Sequence, residues 1–504
     1  MNTTYRQDEK NMIRHSVIKR AVEMLTLHRS SACCVRRSYV RDLYEYFIDQ
    51  PESHDRDESR KIDVNYIREW ERIHANEIGY KKPSELSVCY LSGPEPTNDF
   101  NEFISLGVLP QNIWAFECEN GVYKQAIYSI DCKNFMQPKL IRTSIERFFE
   151  NSPKKFDIVY IDACATLISD QHALRCISSM FNSHRLNSPG ILISNFSGIS
   201  NDPILKNSFT DIIARYNYLK KNPNPTLVYD NSIYRYKDGF ALQQEAVAAE
   251  LDRFYGDFVT AMVCNVGAIT VPITRFVNSS YLRYLSFSPP KTDCQATVGY
   301  INSVRNNTLL KFFATNELLR TISNDPCFIK TEKLLSEMVS GNPKYNFLDS
   351  MKKIHAIRVA DEDIQPSLNS VITFFEDRNC MYQFLDKPTK TLFYDLVINQ
   401  LSYPMHAVCD YIRRYTYIAK QKRMYTDMIV FDECRYLYDW LPAIDQIPDA
   451  FSNVSWQYTF RFALDGLIKQ RLNYNNEFFF QGSVVPKTIN GFEAKIIPAR
   501  IEIN

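Results

Sequence analysis

Between residues 85 and 200 the sequence alternates short apolar runs with longer amphipathic stretches. The apolar runs predict five strands, and the stretches between them predict four helices. This alternation is typical of successive βαβ units, which build a parallel sheet. Few architectures other than a doubly wound sheet hold five strands and four helices in about 110 residues. We therefore predict an α/β fold. The predicted strands are Ser87–Ser92, Asn112–Phe116, Lys139–Arg142, Phe156–Ile161 and Ile191–Asn195.

The segments on either side of this region have helical patterns. Residues 11–50 and 64–78 predict N-terminal helices, and the sequence after residue 201 is read more coarsely. We predict an N-terminal helical segment at 1–80, the sheet-containing core at 81–300 and a mostly helical C-terminal extension at 301–504. Further predicted helices are Ile204–Leu219, Leu242–Cys264 and Trp456–Leu472, and further predicted strands are Tyr281–Phe287 and Asp427–Phe431. Leu309–Ser323 and Val371–Phe375 are also predicted elements, for which the pattern does not distinguish helix from strand.

Composition excludes several classes of protein. With 59 Lys and Arg against 58 Asp and Glu, the net charge is +1, which argues against a domain built to neutralise phosphates. The 13 cysteines include no CxxC pair and there is no HExxH, so we expect neither a disulfide framework nor a metal site. The uncharged run Phe258–Thr274 contains Asn265 and Pro272, which favours a buried helix followed by an extended segment over a membrane span. The polar N-terminus indicates no secretory signal. We expect a cytoplasmic protein that does not enter a membrane.

Polar residues follow four of the predicted strands. Ligands of an open parallel sheet bind at the carboxyl ends of its strands, where the strand order reverses. The loop after the first strand carries Gly93 and Glu95, and Glu117 ends the second strand. An acidic side chain at that point would accept both ribose hydroxyls of a nucleoside. Residues 144–146 follow the third strand, where they could flank an adenine ring, and Asp162 ends the fourth.

This succession resembles the class I S-adenosylmethionine-dependent methyltransferases over about 120 residues. The resemblance implies a Rossmann-like, methyltransferase-like core with S-adenosylmethionine as cofactor. It assigns the methionine part to Gly93 and Glu95, the ribose to Glu117 and the reacting atoms to Asp162, the candidate catalytic residue. The residues that would frame the adenine are Ser144, Ile145 and Glu146.

The chain departs from the family pattern in two motifs. The first loop has one glycine, Gly93, where the family has two or three. The fourth motif reads Asp162-Ala163-Cys164-Ala165, which is neither the Asn/Asp-Pro-Pro-Tyr/Phe of exocyclic-amine methylation nor the Pro-Cys of cytosine C5 methylation. Both of those nucleobase chemistries are therefore disfavoured.

The stretch 411–425 interleaves five cations with four tyrosines. Cations for phosphates and rings for base stacking would suit a nucleic-acid surface. The alternative is a solvated helix face whose tyrosines pack inward. The cations are Arg413, Arg414, Lys420, Lys422 and Arg423.

Three functions follow from these patterns. The leading hypothesis is methyl transfer from S-adenosylmethionine to an acceptor that the sequence does not identify. The second is a non-catalytic binding or scaffold protein that keeps the methyltransferase fold. The third is a nucleic-acid-binding protein that uses the stretch 411–425.

Overall fold

A computed structural model describes residues 8–131, 137–167, 172–221, 236–272, 275, 399–400, 402–419, 421–441, 452–470, 492–493 and 495–503. The strands are β1 Val88–Leu91, β2 Ile113–Phe116, β3 Lys139–Ile141, β4 Phe156–Asp162, β5 Leu186–Ser197, β6 His406–Ala407, β7 Arg413–Ala419, β8 Lys422–Asp432 and β9 Ile501–Glu502. The helices are α1 Asp8–Leu25, α2 Tyr39–Ile48, α3 His54–Ser59, α4 Val64–Ile78, α5 Thr97–Ser105, α6 Asn120–Asp131, α7 Ile145–Asn151, α8 His172–Asn182, α9 Pro203–Lys221, α10 Tyr236–Ala249, α11 Leu251–Asn265, α12 Arg435–Tyr438 and α13 Val454–Gln470.

The strands form one sheet in the order β3-β2-β1-β4-β5-β8-β7-β9. Strands β1 to β5 are mutually parallel. The first strand, β1, lies in the interior of the sheet. The next two strands extend the sheet outward to β3, and the chain then crosses back to β4 on the other side of β1. Every residue of β4 except the last is buried. Because successive side chains point to opposite faces of a strand, both faces of the sheet are covered there. The predicted α/β, doubly wound fold is confirmed.

An antiparallel hairpin completes the sheet beside β5. Strand β8 pairs antiparallel with β5 over Gly190–Ser197, and β7 pairs antiparallel with β8. Gln421, which directly precedes β8, has a φ of +62°. The sheet therefore extends past residue 300, where we predicted the limit of the core. The prediction that the stretch 411–425 is a solvated helix face is wrong. The described residues of this stretch pair as strands β7 and β8, so their backbone hydrogen bonds run between strands instead of along a helix.

Most of the predicted local elements are present. The first four strands agree with prediction to within one or two residues, and Asp427–Phe431 lies inside β8. Strand β5 begins earlier than predicted. Its pairing with β4 shifts register between Phe156 and Ile158, so that the residues around Pro189 bulge out and do not end the strand. The predictions for Tyr281–Phe287, Leu309–Ser323 and Val371–Phe375 lie outside the described residues.

The N-terminal helices pack against the sheet. Helix α1 contacts α5, β5, β7 and β8, and it buries Ile13, Val17, Ala21 and Val22 at helical spacing. Its apolar stripe continues toward the N-terminus as Lys10, which is also buried. The predicted segment 1–80 thus supplies a helix that packs on the core.

Helix α11 lies largely in the interior. The buried residues of its second half include Phe258, Val259, Met262 and Val263, and a π-helical turn at Val266–Thr270 continues it where we predicted an extended segment. Among the described helices, none is both long enough and apolar enough to cross a membrane.

Arg414 of β7 is a structural side chain. It is 3% exposed. Its guanidinium pairs with Asp257 at 2.6 Å and donates to the hydroxyl of Thr260 and to the backbone carbonyls of Gly256 and Pro498. These contacts tie the hairpin to α11.

Replacing Arg414 should destabilise the fold. Arg414→Gln removes the donors of several buried acceptors, so we expect the free energy of unfolding to fall by about 2–4 kcal/mol. Arg413, one position earlier, is half-buried and donates to the carbonyls of Asp410 and Ile412. Arg413→Gln should cost less than about 1 kcal/mol. Denaturant titration of both variants measures the difference, and equal losses would contradict the structural assignment.

Candidate functional site

A cleft of about 230 Å³ opens at the carboxyl edge of the parallel strands, beside the point where the strand order reverses between β1 and β4. It contains five of the six residues predicted to bind a cofactor, together with the predicted catalytic residue. Its lining comprises Lys10, Arg14, Leu91, Ser92, Gly93, Pro94, Glu95, Asn98, Asp99, Phe116, Glu117, Cys118, Thr143, Ser144, Ile145, Asp162, Ala163 and Cys164.

The loop after β1 forms one wall. The Ser92 N–H donates to the Phe116 carbonyl at 3.0 Å, and the Tyr90 hydroxyl donates to the Pro96 carbonyl at 2.6 Å, so both ends of the loop are held. Gly93 has a φ of +58°, in the region that favours glycine. A Cβ at Gly93 would meet no atom within 4 Å. The backbone therefore faces open space, where a ligand can approach closely.

Glu117 stands at the end of β2. Its backbone N–H donates to the Ile141 carbonyl at 3.1 Å, which continues the sheet pairing and fixes the position of the residue. Its Oε1 accepts the Glu119 N–H at 2.7 Å. No described residue donates to Oε2, so one carboxylate oxygen remains available to a ligand.

The residues after β3 separate into two groups. Ser144 caps α7 by accepting the Arg147 N–H at 3.3 Å, and both Ser144 and Ile145 line the cleft. Glu146 does not line it. Its carboxylate pairs with Arg175 of α8 at 3.3 Å, because the helical turn directs this position toward the neighbouring helix. The geometry therefore favours Ser144 and Ile145 over Glu146 as cleft residues.

Both carboxylate oxygens of Asp162 are engaged. Oδ2 pairs with Lys10 Nζ at 2.7 Å, while Oδ1 accepts from Asn195 Nδ2 at 2.9 Å and from Cys164 Sγ at 3.3 Å. Burial by itself would raise the pKa of Asp162, but the charge of Lys10 and these hydrogen bonds together hold it below its ordinary value. Asp162 is thus kept ionised, which makes it a poor proton acceptor.

Lys10 is the counterpart of Asp162. Its side chain is 10% exposed, and burial alone would lower its pKa. Burial is the largest single influence, but the charge of Asp162, its hydrogen bond, and the nearby Cys164 and Tyr417 together outweigh it, so the pKa of Lys10 is raised and the ammonium keeps its proton. The pair brings α1 into the cleft as a fixed wall.

A second ion pair lies one helical turn further along α1. Arg14 Nε approaches Asp99 Oδ1 at 2.8 Å, but the two atoms do not make an aligned hydrogen bond. Burial is therefore the dominant influence on the pKa of Asp99. It raises the pKa of this carboxyl from 3.8 to about 6, although Arg14 opposes the shift.

Sequence reasoning missed Lys10, Arg14, Asp99 and Asn195. One signal was present: Lys10 and Arg14 extend the apolar stripe of α1, and a cation on a buried stripe needs a partner. The partners themselves lie about 85 to 150 residues away, and no local pattern identifies them.

The basic stretch 411–425 is distributed around the hairpin. Arg414 is buried, and Arg423 pairs with Glu502 at 3.0 Å. Lys422 is exposed, and Lys420 lies outside the described residues. Nucleic-acid binding by this stretch stays a prediction.

Comparisons with known proteins give structural similarity only. No family model matches the chain, and no curated protein matches it. Solved structures that it resembles include a proposed methylase from Haemophilus influenzae, at 16% identity over 23% of this chain and 65% of that one, with a TM-score of 0.19. The chain thus spans slightly less than two thirds of that protein.

Two further structures align over longer stretches. A proposed caffeoyl-CoA O-methyltransferase from Staphylococcus aureus matches at 15% identity over 43% of this chain and 87% of that one, with a TM-score of 0.18. Magnesium protoporphyrin IX methyltransferase from Synechocystis PCC 6803, with bound S-adenosylhomocysteine, matches at 13% identity over 41% and 83%, with a TM-score of 0.19. At these identities and TM-scores the matches assign no family, activity or ligand to this chain.

The raised pKa of Asp99 predicts a pH-dependent stability. Because the folded state binds this proton more tightly than the unfolded state, the wild type should lose stability as pH rises from about 4 through about 6. The two-unit shift corresponds to about 3 kcal/mol. Asp99→Asn lacks this titration, whatever constant penalty it incurs by leaving Arg14 unpaired. The unfolding free energy of the variant minus that of the wild type should therefore increase with pH. A difference that is constant between about pH 4 and pH 7 would contradict the assignment.

Proposed function

We propose that the cleft binds S-adenosylmethionine and that the chain transfers its methyl group to an acceptor. The observation that supports this most strongly is the convergence of the β1 loop, Glu117, Ser144-Ile145 and Asp162 on one cleft at the reversal of strand order. An adenosine ligand needs a carboxylate for its ribose, walls for its base and open backbone for its remaining part. Each of these is supplied by a different strand end.

The charge of the cleft suits a sulfonium cation. Lys10 is neutralised by Asp162, and Arg14 lies against Asp99. Glu95 and Glu117 then leave an excess of negative charge. Glu95 Oε2 accepts from Asn98 Nδ2 at 3.0 Å, which holds the carboxylate beside the β1 loop. We expect Glu95 to face the charged part of the ligand and Glu117 to face its ribose.

When bound, S-adenosylmethionine would supply a methyl group carried on positively charged sulfur. The main task of the protein is then to align donor and acceptor. Asp162 contributes a fixed carboxylate at the end of β4, paired with Lys10 and held in place by Asn195. A proton leaving the acceptor would need a base other than Asp162, because the lowered pKa of Asp162 disfavours protonation.

A second candidate is ligand binding without turnover. It is favoured by the engagement of both Asp162 oxygens, which leaves the predicted catalytic group occupied within the protein. This alternative uses the same cleft and the same adenosine contacts, so it differs from the first only in product formation.

Glu117 should control the affinity for the cofactor. A carboxylate that accepts ribose hydroxyls makes charge-assisted hydrogen bonds, and Glu117→Gln removes the charge while it keeps the shape. We expect Kd for S-adenosylmethionine, measured by calorimetry, to rise about tenfold to a hundredfold. This corresponds to a loss of about 1.4–2.8 kcal/mol of binding free energy. Glu117→Ala should weaken binding further. The melting temperature should barely change, since the side chain supports little packing.

Glu119→Gln is the matched control. Glu119 is an exposed acid two residues away whose backbone N–H, but not its side chain, contacts Glu117. Its variant should bind as the wild type does. Wild-type affinity in Glu117→Ala would overturn the assignment of the cleft. Native mass spectrometry of the purified protein tests whether it retains S-adenosylmethionine or S-adenosylhomocysteine. A methyl-transfer assay then separates the two candidates, because only turnover forms S-adenosylhomocysteine from added S-adenosylmethionine.

A further inference from the structure

A second cluster of reactive side chains lies far from the cleft. Cys34 follows α1, while Asp432 and Cys434 stand at the end of β8. One donor atom from each lies within 4.8 Å of the other two, and all three residues are buried. The residues come from opposite ends of the sequence, so their convergence is a product of the tertiary fold.

Asp432 is surrounded by hydrogen-bond donors. Its Oδ2 accepts from the Cys34 N–H at 2.9 Å, from the Tyr436 hydroxyl at 2.6 Å and from Cys434 Sγ at 3.5 Å. Its Oδ1 accepts from the Cys434 N–H at 2.9 Å and from the Ser188 hydroxyl at 3.2 Å. The backbone donors fix the carboxylate. The Cys434 thiol and the Tyr436 hydroxyl donate to Oδ2, whereas the Cys34 thiol donates to the carbonyls of His406 and Ala407.

One sulfur–oxygen pair of the cluster has the spacing of two ligands of a tetrahedral metal, and all three donors lie within 4.8 Å of one another. Zinc binds thiolate sulfur at about 2.3 Å and carboxylate oxygen at about 2.0 Å, so adjacent sulfur and oxygen ligands lie about 3.5 Å apart. Cys434 Sγ and Asp432 Oδ2 have that separation. The Tyr436 oxygen lies 3.6 Å from Cys434 Sγ and is a further oxygen beside the cluster. Sulfur ligands favour zinc over magnesium or calcium.

We propose that Cys34, Asp432 and Cys434 form a buried zinc site. Binding exchanges two thiol protons for one Zn²⁺, which forms two zinc–sulfur bonds and one zinc–oxygen bond. The net charge of the buried cluster is the same before and after, because the two thiolate charges cancel that of the metal. The exchange therefore adds no buried charge.

The metal-free state is also consistent with the interior. Burial raises the pKa of Cys34 well above its ordinary value and that of Cys434 to about 11, so both thiols keep their protons until a metal replaces them.

The site lies at the edge of the sheet opposite the cleft. Because β8 is antiparallel to β5, its C-terminal end pairs near Gly190, at the amino end of the parallel strands. A metal there would join the loop after α1 to the end of β8 and would stabilise the fold. Because the proposed zinc site and the cleft lie at opposite edges of the sheet, the absence of zinc binding and the absence of cofactor binding can be observed separately.

The expectation of no metal site rested on the absence of closely spaced ligands from the sequence. Here the first ligand precedes the other two by about 400 residues. Only the short Asp-x-Cys spacing at 432–434 is local, and alone it is not a metal motif.

Metal analysis of the full chain tests the proposal. Protein prepared without chelator should retain about one zinc per chain, and after zinc removal Co²⁺ should give a sulfur-to-cobalt charge-transfer absorption. Cys34→Ser and Cys434→Ser should each retain at least about tenfold less zinc. Cys89→Ser, which removes a buried thiol of β1 outside the cluster, should retain zinc as the wild type does.

Two results would overturn the proposal. One is reduced wild-type protein that holds no zinc and gives no charge-transfer absorption with Co²⁺. The other is an intact mass showing a Cys34–Cys434 disulfide in freshly prepared protein, which would make the cluster a covalent crosslink. Both measurements use the wild-type chain and do not depend on the folding of a variant.

Discussion

The antiparallel pairing of β5 with β8 is the contact on which the rest of the structure depends. It runs from Gly190–Phe431 at one edge of the sheet to Ser197–Met424 at the other, and it joins segments that are remote in sequence. At the carboxyl edge it places Thr426 against Asn195, whose amide in turn holds Asp162. At the opposite edge it carries Asp432 to Cys34. One ladder of backbone hydrogen bonds therefore positions both the cleft and the buried thiol cluster.

The two aspartates beneath α1 show how geometry decides the charge of a buried carboxyl. Asp162 and Asp99 each face a cation from the same helix at nearly equal distance. Asp162 also receives hydrogen bonds from an amide and a thiol, and its pKa falls. Asp99 meets a guanidinium that is poorly aligned, and its pKa rises to about 6. Coulomb attraction alone does not compensate desolvation without directed hydrogen bonds.

The sequence predicts the parts of this molecule that depend on local order. Apolar runs and helical spacing located β1 to β4, and chain order alone brought Gly93, Glu117 and Asp162 to one edge, because parallel strands end together. The sequence does not predict β7, because Arg414 occupies a buried position where the alternation of apolar and polar residues typical of a strand would place an apolar side chain. Lys10 and the cluster around Asp432 required contacts between distant segments. Charge pairing across such distances leaves no periodic trace in the sequence.

The position of β8 in the chain also has a consequence for biosynthesis. When a ribosome has completed β5, its partner strand β8 does not yet exist, and the hydrogen-bonding edge of a strand that is largely buried in the folded protein is open to solvent. Exposed strand edges recruit other chains. The nascent protein must pass through this state while the long intervening segment is made, so its yield in a cell should depend on chaperones and on the rate of translation.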